Sequence, residues 1–214
     1  MRRPWEKALP DRAQEDRGDM TEGTHDPYQA MLAHNEWATA AILDRCRALS
    51  AEQFHQRFDI GPGSLHDALT HIISATRRWA DRIAERPVRP SLERPPPWFT
   101  DAVDARDRDP AELAALLAEA TEDFAQVIEL ARARGLGRPL VVRLGAPGGG
   151  ETFNLTAGGA ILHALTHAHH HRAQCMNMLR RLEVPGVSDQ LPDLDFCIWE
   201  DAASRAAQVP TEPV

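Results

Sequence analysis

The 214-residue chain has few cysteines, no long apolar run and no excess of positive charge, and these absences narrow the class of protein. Its three cysteines, Cys46, Cys175 and Cys197, form no CxxC pair, so we expect reduced, buried thiols. No apolar run approaches the roughly 20 residues that a membrane span requires. The formal net charge of −8 argues against broad binding to nucleic acid or anionic membranes. We therefore expect a cytoplasmic protein that binds neither nucleic acid nor membranes.

The two ends of the chain differ from its centre. Residues 1–24 are charged and lack the apolar core of a secretory signal, so we interpret them as a disordered tail, within which Met20 is an alternative start. Residues 209–214 are interpreted as a shorter second tail. The stretch between them, 25–208, has the length of one domain with a well-buried core.

Five helices are predicted from capping residues and from apolar residues spaced by three or four positions. The expected N-caps of the four longer helices are Asp26, Ser64, Asp109 and Thr156, and proline follows the first and third of them. These helices are expected over 26–49, over 64–85, from 109 through an apolar stripe that ends at 131, and over 156–183. A shorter fifth helix is expected over 193–207.

The connections between these helices indicate how the helices are arranged. The proline-rich linker 86–108 is much longer than a tight helical hairpin needs, so the third helix can run parallel to the second. Apolar segments 140–144 and 152–155 flank a Gly/Pro turn, which is typical of a β-hairpin. The sequence thus predicts an all-α fold, a four-helix bundle with one crossover, with this hairpin before the last bundle helix and a short C-terminal helix.

Histidines are concentrated on the last bundle helix, where five of the ten lie between His163 and His171. His167 and His171 are four residues apart on an apolar stripe, so both side chains point the same way, one turn apart. A buried imidazole without a partner is costly, and this spacing suits two ligands of one cation. The pair His163 and His167 has the same spacing and remains an alternative.

A third ligand is expected from a facing helix. The third helix offers Glu119, Glu122 and Asp123, but its inward stripe is apolar, whereas the second helix offers His66 and His71. His66 shares its face with Thr70 and Arg77, which we interpret as an outward face. His71 lies beside the core stripe among small residues, so we select His71. The alternative for each single histidine is an ordinary surface or hydrogen-bonded role. Imidazole ligands suit zinc, nickel, copper and iron alike.

Four further residues are candidates for contact with the metal ligands or the substrate pocket. Asn35 is polar on a core stripe, and His163 lies one turn before His167. Arg172 is expected near the rim of the site, with a salt bridge as its alternative role. Gln174 is expected to hydrogen-bond a neighbouring element.

Several segments, taken together, resemble the DinB-like (damage-inducible) family. They are GPGSLHDALTHI at 61–72 followed by Trp79, LHALTH at 162–167 followed by HRAQ at 171–174, the aromatic-rich opening 28–37, and DLDF at 193–196. The resemblance covers roughly 26–205. It departs from the family pattern at Ala173, where glycine is common.

This resemblance implies a four-helix bundle of up-down-down-up topology and a metal site formed by His71, His167 and His171. Characterised relatives are metal-dependent transferases or isomerases that use a low-molecular-weight thiol such as mycothiol, bacillithiol or glutathione. The implied protein is a homodimer that acts on a small electrophilic substrate. For the metal we expect Zn²⁺ or Ni²⁺, with Fe²⁺ as the alternative. Two other hypotheses are a non-catalytic metal-binding or stress-response protein with a structural metal, and a hydrolase that uses metal-bound hydroxide.

Overall fold

The computed structural model describes residues 26–94, 103–144 and 150–207, which are mostly helical. The expected tails at 1–24 and 209–214 lie outside these ranges. In chain order the elements are α1 (Pro27–Cys46), α2 (Ala51–His55), α3 (Leu65–Ala84), α4 (Pro110–Arg134), β1 (Pro139–Leu144), β2 (Glu151–Thr156), α5 (Ala157–Arg181) and α6 (Phe196–Ala207).

The four N-caps predicted from the sequence are confirmed. The side chain of Asp26 accepts a hydrogen bond from the backbone N–H of Tyr28, and Ser64, Asp109 and Thr156 accept equivalent bonds in their own helices. Each cap satisfies an N–H group that would otherwise lack a partner in the first helical turn. The starts of all four long helices are therefore set locally.

The first helix ends earlier than predicted. It stops at Cys46 rather than near Leu49, and a separate short helix, α2, follows. Ser50 caps α2 by a reciprocal capping box with Gln53: the Ser50 hydroxyl accepts from the Gln53 N–H, and the Gln53 side chain accepts from the Ser50 N–H. This box starts a new helix and turns the chain towards α3.

The four long helices pack around two clusters of buried apolar side chains, and each cluster has members from all four helices. Helix α1 contacts α4 and α5, and α3 also contacts α4 and α5. The apolar stripe predicted for α4 is confirmed, because all seven of its members are buried: Leu113, Leu117, Ala120, Phe124, Val127, Ile128 and Ala131. Within the described ranges, no helix is both long and apolar enough to cross a bilayer.

The predicted β-hairpin is confirmed as an antiparallel pair. Strands β1 and β2 pair from Pro139 opposite Thr156 to Leu144 opposite Glu151. Leu140 and Val142 of β1 are buried and join the core beside α5. Because Thr156 ends β2 and also caps α5, the hairpin fixes where the histidine-bearing helix begins.

The prediction that the thiols are buried is correct for two cysteines and wrong for the third. Cys46 and Cys175 lie in the core and remain unpaired, and burial raises the pKa of Cys175 to about 12. Cys197 is exposed at the start of α6, where the apolar pattern did not separate the two faces of a short helix.

Candidate metal centre

Three histidine rings from two helices converge on one point. His71 lies on α3, and His167 and His171 lie one turn apart on α5. The Nε2 atom of His167 is 3.1 Å from Nε2 of His71 and 3.2 Å from Nε2 of His171. Each ring offers a ligand atom to a group whose atoms all lie within 4.8 Å of one another. The structure thus brings together the three residues that the sequence selected.

The outer nitrogens of two of these rings are already hydrogen-bonded. Nδ1 of His71 lies 2.7 Å from Oε2 of Glu93, and Nδ1 of His171 lies 2.7 Å from Oε1 of Gln174. The amide nitrogen of Gln174 in turn donates to Nε2 of His170 at 3.0 Å. Because the carboxylate and amide oxygens are acceptors, both Nδ1 atoms carry the proton. Nε2 of His71 and of His171 therefore presents a lone pair to the centre.

The geometry and the protonation of the rings both suit a cation. Two nitrogens bound tetrahedrally at about 2.0–2.1 Å from one ion lie about 3.3–3.4 Å apart, close to the separations seen here. Burial, with the neighbouring charges of His71 and His171, lowers the pKa of His167 to about 3. Burial and the charge of His71 also lower the pKa of His171. Neutral imidazoles at ordinary pH are the form that binds metal.

Glu93 is a site residue that sequence reasoning missed. It lies in the linker after α3, which is fixed to that helix because the hydroxyl of Ser74 accepts from the backbone N–H of Leu92 at 3.1 Å. Burial alone would raise the pKa of Glu93, but its hydrogen bond and charge interaction with His71 outweigh burial and leave the pKa lowered. A carboxylate behind a ligand histidine fixes the ring and increases its basicity. No periodic pattern surrounds Glu93, so the sequence carried no signal for it.

Gln174 reaches His171 because Gly61 leaves space for it. Gly61 has a φ of +49°, and a Cβ at this position would stand 2.0 Å from Oε1 of Gln174. Glycine is therefore required here both by the backbone conformation and by the close approach of the amide. The turn before α3 and the second half of α5 together orient the His171 ring.

Two of the other candidate residues, Arg172 of α5 and Asn35 of α1, meet where these two helices pack. Arg172 is buried and donates to the side-chain oxygen of Asn35, whose amide donates to the carbonyl of Leu165 at 3.0 Å. Burial lowers the pKa of Arg172 to about 10. Arg172 is therefore neither at a rim nor, in the described part of the chain, paired with a carboxylate, because its hydrogen bonds join α5 to α1.

His163 lies one turn before His167 but outside the convergent group. Its ring centre is 4.7 Å from that of Trp79 and 5.7 Å from that of His167. Burial against these neighbours lowers its pKa. The structure thus favours the pair His167 and His171 over the alternative pair His163 and His167 as partners of His71.

The interpretation of His66 as an outward residue is wrong. Its side chain is only 11% exposed, and Thr70 on the same face is 3% exposed. This face of α3 is covered by α2 and by the last residues of the linker, where His55 and Asp107 approach the His66 ring. The helical pattern could not predict this cover, because it comes from segments without periodicity.

Comparison with known proteins adds a family assignment. A family model described as the DinB family matches residues 20–197, a span that contains the three convergent histidines, Glu93 and Gln174. A search of curated proteins finds no match to the chain. Because the match extends over most of the sequence, the chain belongs to the DinB family.

Proposed function

We propose that this protein is a metal-dependent enzyme that transfers a low-molecular-weight thiol to a small electrophilic substrate, or isomerises such a substrate, at a centre held by His71, His167 and His171. One observation carries the proposal: three Nε2 atoms face one point, with 3.1 and 3.2 Å between neighbours. The hydrogen bonds from Nδ1 to Glu93 and Gln174 leave lone pairs directed at that point.

The ligand set favours a catalytic over a structural ion. Structural zinc sites are closed by four protein ligands, whereas catalytic sites keep three and leave a position for water or substrate. A divalent cation held by three neutral imidazoles lowers the pKa of a bound water or thiol. The role of the chain is to orient the rings of His71 and His171 through Glu93 and Gln174, and to lower the pKa of His167 and His171 by burial.

A cleft that is lined by Glu93, but by none of the three histidines, can admit a small molecule. It has a volume of ≈ 580 Å³, and its lining includes Glu93, Arg94 and Thr70. This volume is within the usual range of small-ligand sites. The choice of a thiol such as mycothiol or bacillithiol as co-substrate is supported by the resemblance to characterised DinB-like enzymes. The choice of Zn²⁺ or Ni²⁺, with Fe²⁺ as the alternative, is supported by the imidazole ligands.

The proposal includes a bundle of up-down-down-up topology. The supporting pairs are Asn35–Leu165 and Thr39–Arg172 for α1 and α5, Asp26–Arg132 and Gln29–Glu129 for α1 and α4, and His71–His167 and Trp79–His163 for α3 and α5. In the pairs between α1 and α5 both residue numbers increase together, so these helices are parallel. In the pairs between α1 and α4 and between α3 and α5 one number increases as the other decreases, so these helices are antiparallel. Helices α3 and α4 then both run opposite to α1 and α5, which the long linker permits.

The test is thiol-dependent turnover by protein loaded with Zn²⁺ or Ni²⁺. We expect conjugation of mycothiol, bacillithiol or glutathione to an activated aryl halide, measured by loss of the free thiol. The His167→Ala variant should lose at least 100-fold of this rate, and His169→Ala, which alters an exposed histidine of the same helix, should retain it. Equal rates in the loaded wild type, the His167→Ala variant and metal-free protein would contradict the proposal.

A structural role for the ion is the second candidate, favoured by the fact that its ligands come from both α3 and α5. In that case the metal would link two helices, and its removal would lower thermal stability without affecting any turnover. A hydrolase would instead show activity that does not depend on added thiol. The same assay, run with and without thiol, separates the three possibilities.

A further inference from the structure

A second group of ligand-type side chains lies on the covered face of α3, away from the triad. It consists of His55, the last residue of α2, His66 in the first turn of α3, and Asp107 near the end of the linker. One ligand atom of each residue lies within 4.8 Å of the others. The DinB family match does not assign a role to these residues, and the proposed function does not use them.

One ring nitrogen of His66, Nε2, has no hydrogen-bond partner. Nδ1 of His66 lies 3.1 Å from Oδ1 of Asp67, a carboxylate that accepts, so the proton of the neutral ring is on Nδ1. Nε2 is then a lone pair, and it is buried without a hydrogen-bond partner. It faces Oδ1 of Asp107 at 3.3 Å, which is also an acceptor. Two acceptors in contact need either a second ring proton or a metal ion between them.

The distances fit a metal ion better than a hydrogen bond. Oδ1 of Asp107 is 3.3 Å from Nε2 of both His55 and His66, which is beyond the usual 2.7–3.2 Å range of N–H···O bonds. For ligands about 2.0–2.1 Å from a tetrahedral ion, the expected separation is about 3.3–3.4 Å. The His55 and His66 rings lie side by side, with centres 4.4 Å apart, so both can turn their Nε2 towards the same oxygen.

We infer that Nε2 of His55, Nε2 of His66 and Oδ1 of Asp107 form a second site for a divalent transition-metal ion, which joins the end of the linker to α2 and α3. Two imidazoles with one carboxylate select Zn²⁺ and its neighbours over Mg²⁺ or Ca²⁺, which prefer all-oxygen ligands.

Neighbouring charges support this assignment. Two of the three arginines that line the same cleft have carboxylate partners of their own, since Arg57 bonds to Asp67 and Arg106 lies 3.0 Å from Asp104; within the described ranges the third, Arg94, forms no ion pair with Asp107. Among the described residues, the ion pairs of Asp107 are those with the two histidines. Its negative charge is therefore available to a cation.

The segment that carries Asp107 is held in place independently of any ion. Arg108 is 4% exposed and donates to the carbonyl oxygens of Asp104 and Arg106, each at 3.0 Å. Asp109 then caps α4. Because this frame fixes the backbone on both sides of Asp107, the carboxylate is presented to α2 and α3 before a metal arrives, which lowers the cost of ordering the site.

The second site lies on the same cleft as Glu93, which orients His71 of the triad. His66 and His71 are also five residues apart on one helix. An ion on His55, His66 and Asp107 would hold the linker end against α2 and α3, at the cleft that Glu93 also lines. The inference concerns a different ion from that of the proposed function and does not depend on it.

The test counts bound zinc in full-length protein freed of metal by a chelator and then titrated with Zn²⁺ against a chromophoric chelator. We expect two equivalents in the wild type and one in each of His55→Ala and Asp107→Ala. These side chains are 39% and 64% exposed, so their removal leaves the core intact, and circular dichroism checks the fold. The control His169→Ala should keep two equivalents.

The outcomes separate this site from the triad. His167→Ala should also bind one equivalent, and the combination of His167→Ala with Asp107→Ala should bind none. One equivalent in the wild type that survives in Asp107→Ala would overturn the second site and leave the triad standing. One equivalent that is lost in Asp107→Ala but retained in His167→Ala would overturn the triad and support the second site. Two equivalents retained in either His55→Ala or Asp107→Ala would also refute the inference, because the histidines and the carboxylate would then be an ordinary ion-pair cluster.

Discussion

At the scale of single residues, the centre depends on which nitrogen of each histidine carries the proton. Glu93 and Gln174 accept from Nδ1 of His71 and His171, so the Nε2 atoms are available as ligands. Neither acceptor touches the point where the rings meet. Their effect is on the orientation and basicity of the rings, which in metal sites accounts for a substantial part of the affinity.

This role makes Glu93→Gln an informative change. The amide keeps the size of the side chain but removes the charge that faces Nδ1 of His71, so we expect zinc affinity at the triad to fall about 10- to 100-fold. Competition with a chelator of known affinity measures the change. Glu122→Gln, on the exposed side of α4, is the control for loss of one negative charge. Equal affinities in the two variants would contradict a positioning role for Glu93.

At the scale of helices and turns, the segment Gly61-Pro62-Gly63 before α3 also contributes to the position of a side chain on α5. Gly61 makes room for Gln174 on α5, so the loop before α3 and the histidine pair on α5 are coupled through one amide. A methyl group at position 61 must displace that amide.

We therefore expect Gly61→Ala to weaken zinc binding by about 10-fold, because His171 loses its hydrogen-bond acceptor. The matched control is Gly186→Ala, which also imposes a side chain on a backbone with positive φ, +78°, but meets no atom within 4 Å. Both variants should lose similar stability from backbone strain, about 1 kcal/mol. An equal loss of zinc affinity in both variants would contradict the proposed link between Gly61 and Gln174, since backbone strain alone would then explain the loss.

The sequence predicts those elements best that are encoded locally. The caps Asp26, Ser64 and Asp109 and the buried stripe of α4 follow from residues a few positions apart, and the structure confirms them. The break between α1 and α2 also had a local signal, the Ser50 and Gln53 capping box, which was missed.

The parts that sequence reasoning missed depend on contacts between distant segments. Glu93 is 22 positions from His71, and Asp107 meets His66 across the same linker. A proline-rich segment has no periodicity from which a facing side chain can be inferred. The convergent histidines were found because two of them form an i, i+4 pair, whereas the residues that orient them have no such spacing.

At the scale of the whole molecule, the triad joins α3 to α5, so metal and fold stability should be linked. A ligand present at 1,000 times its dissociation constant stabilises the folded state by about 4 kcal/mol. For a chain of this size, 1 kcal/mol corresponds to about 2–4 °C in Tm.

Removal of metal by a chelator should therefore lower the Tm of the wild type by about 10 °C, as followed by circular dichroism at 222 nm. His167→Ala should show a smaller metal-dependent shift, because one ligand of the triad is lost. A wild type whose Tm is the same with and without Zn²⁺ would show that the ion does not contribute to the link between these helices.

Crystals of zinc-loaded protein, measured on both sides of the zinc absorption edge, show whether three imidazoles hold one ion. We expect an anomalous peak about 2.0–2.1 Å from Nε2 of His71, His167 and His171, and no such peak in crystals of His167→Ala. Zinc bound only elsewhere, or a peak at this position that persists without the His167 ring, would contradict it.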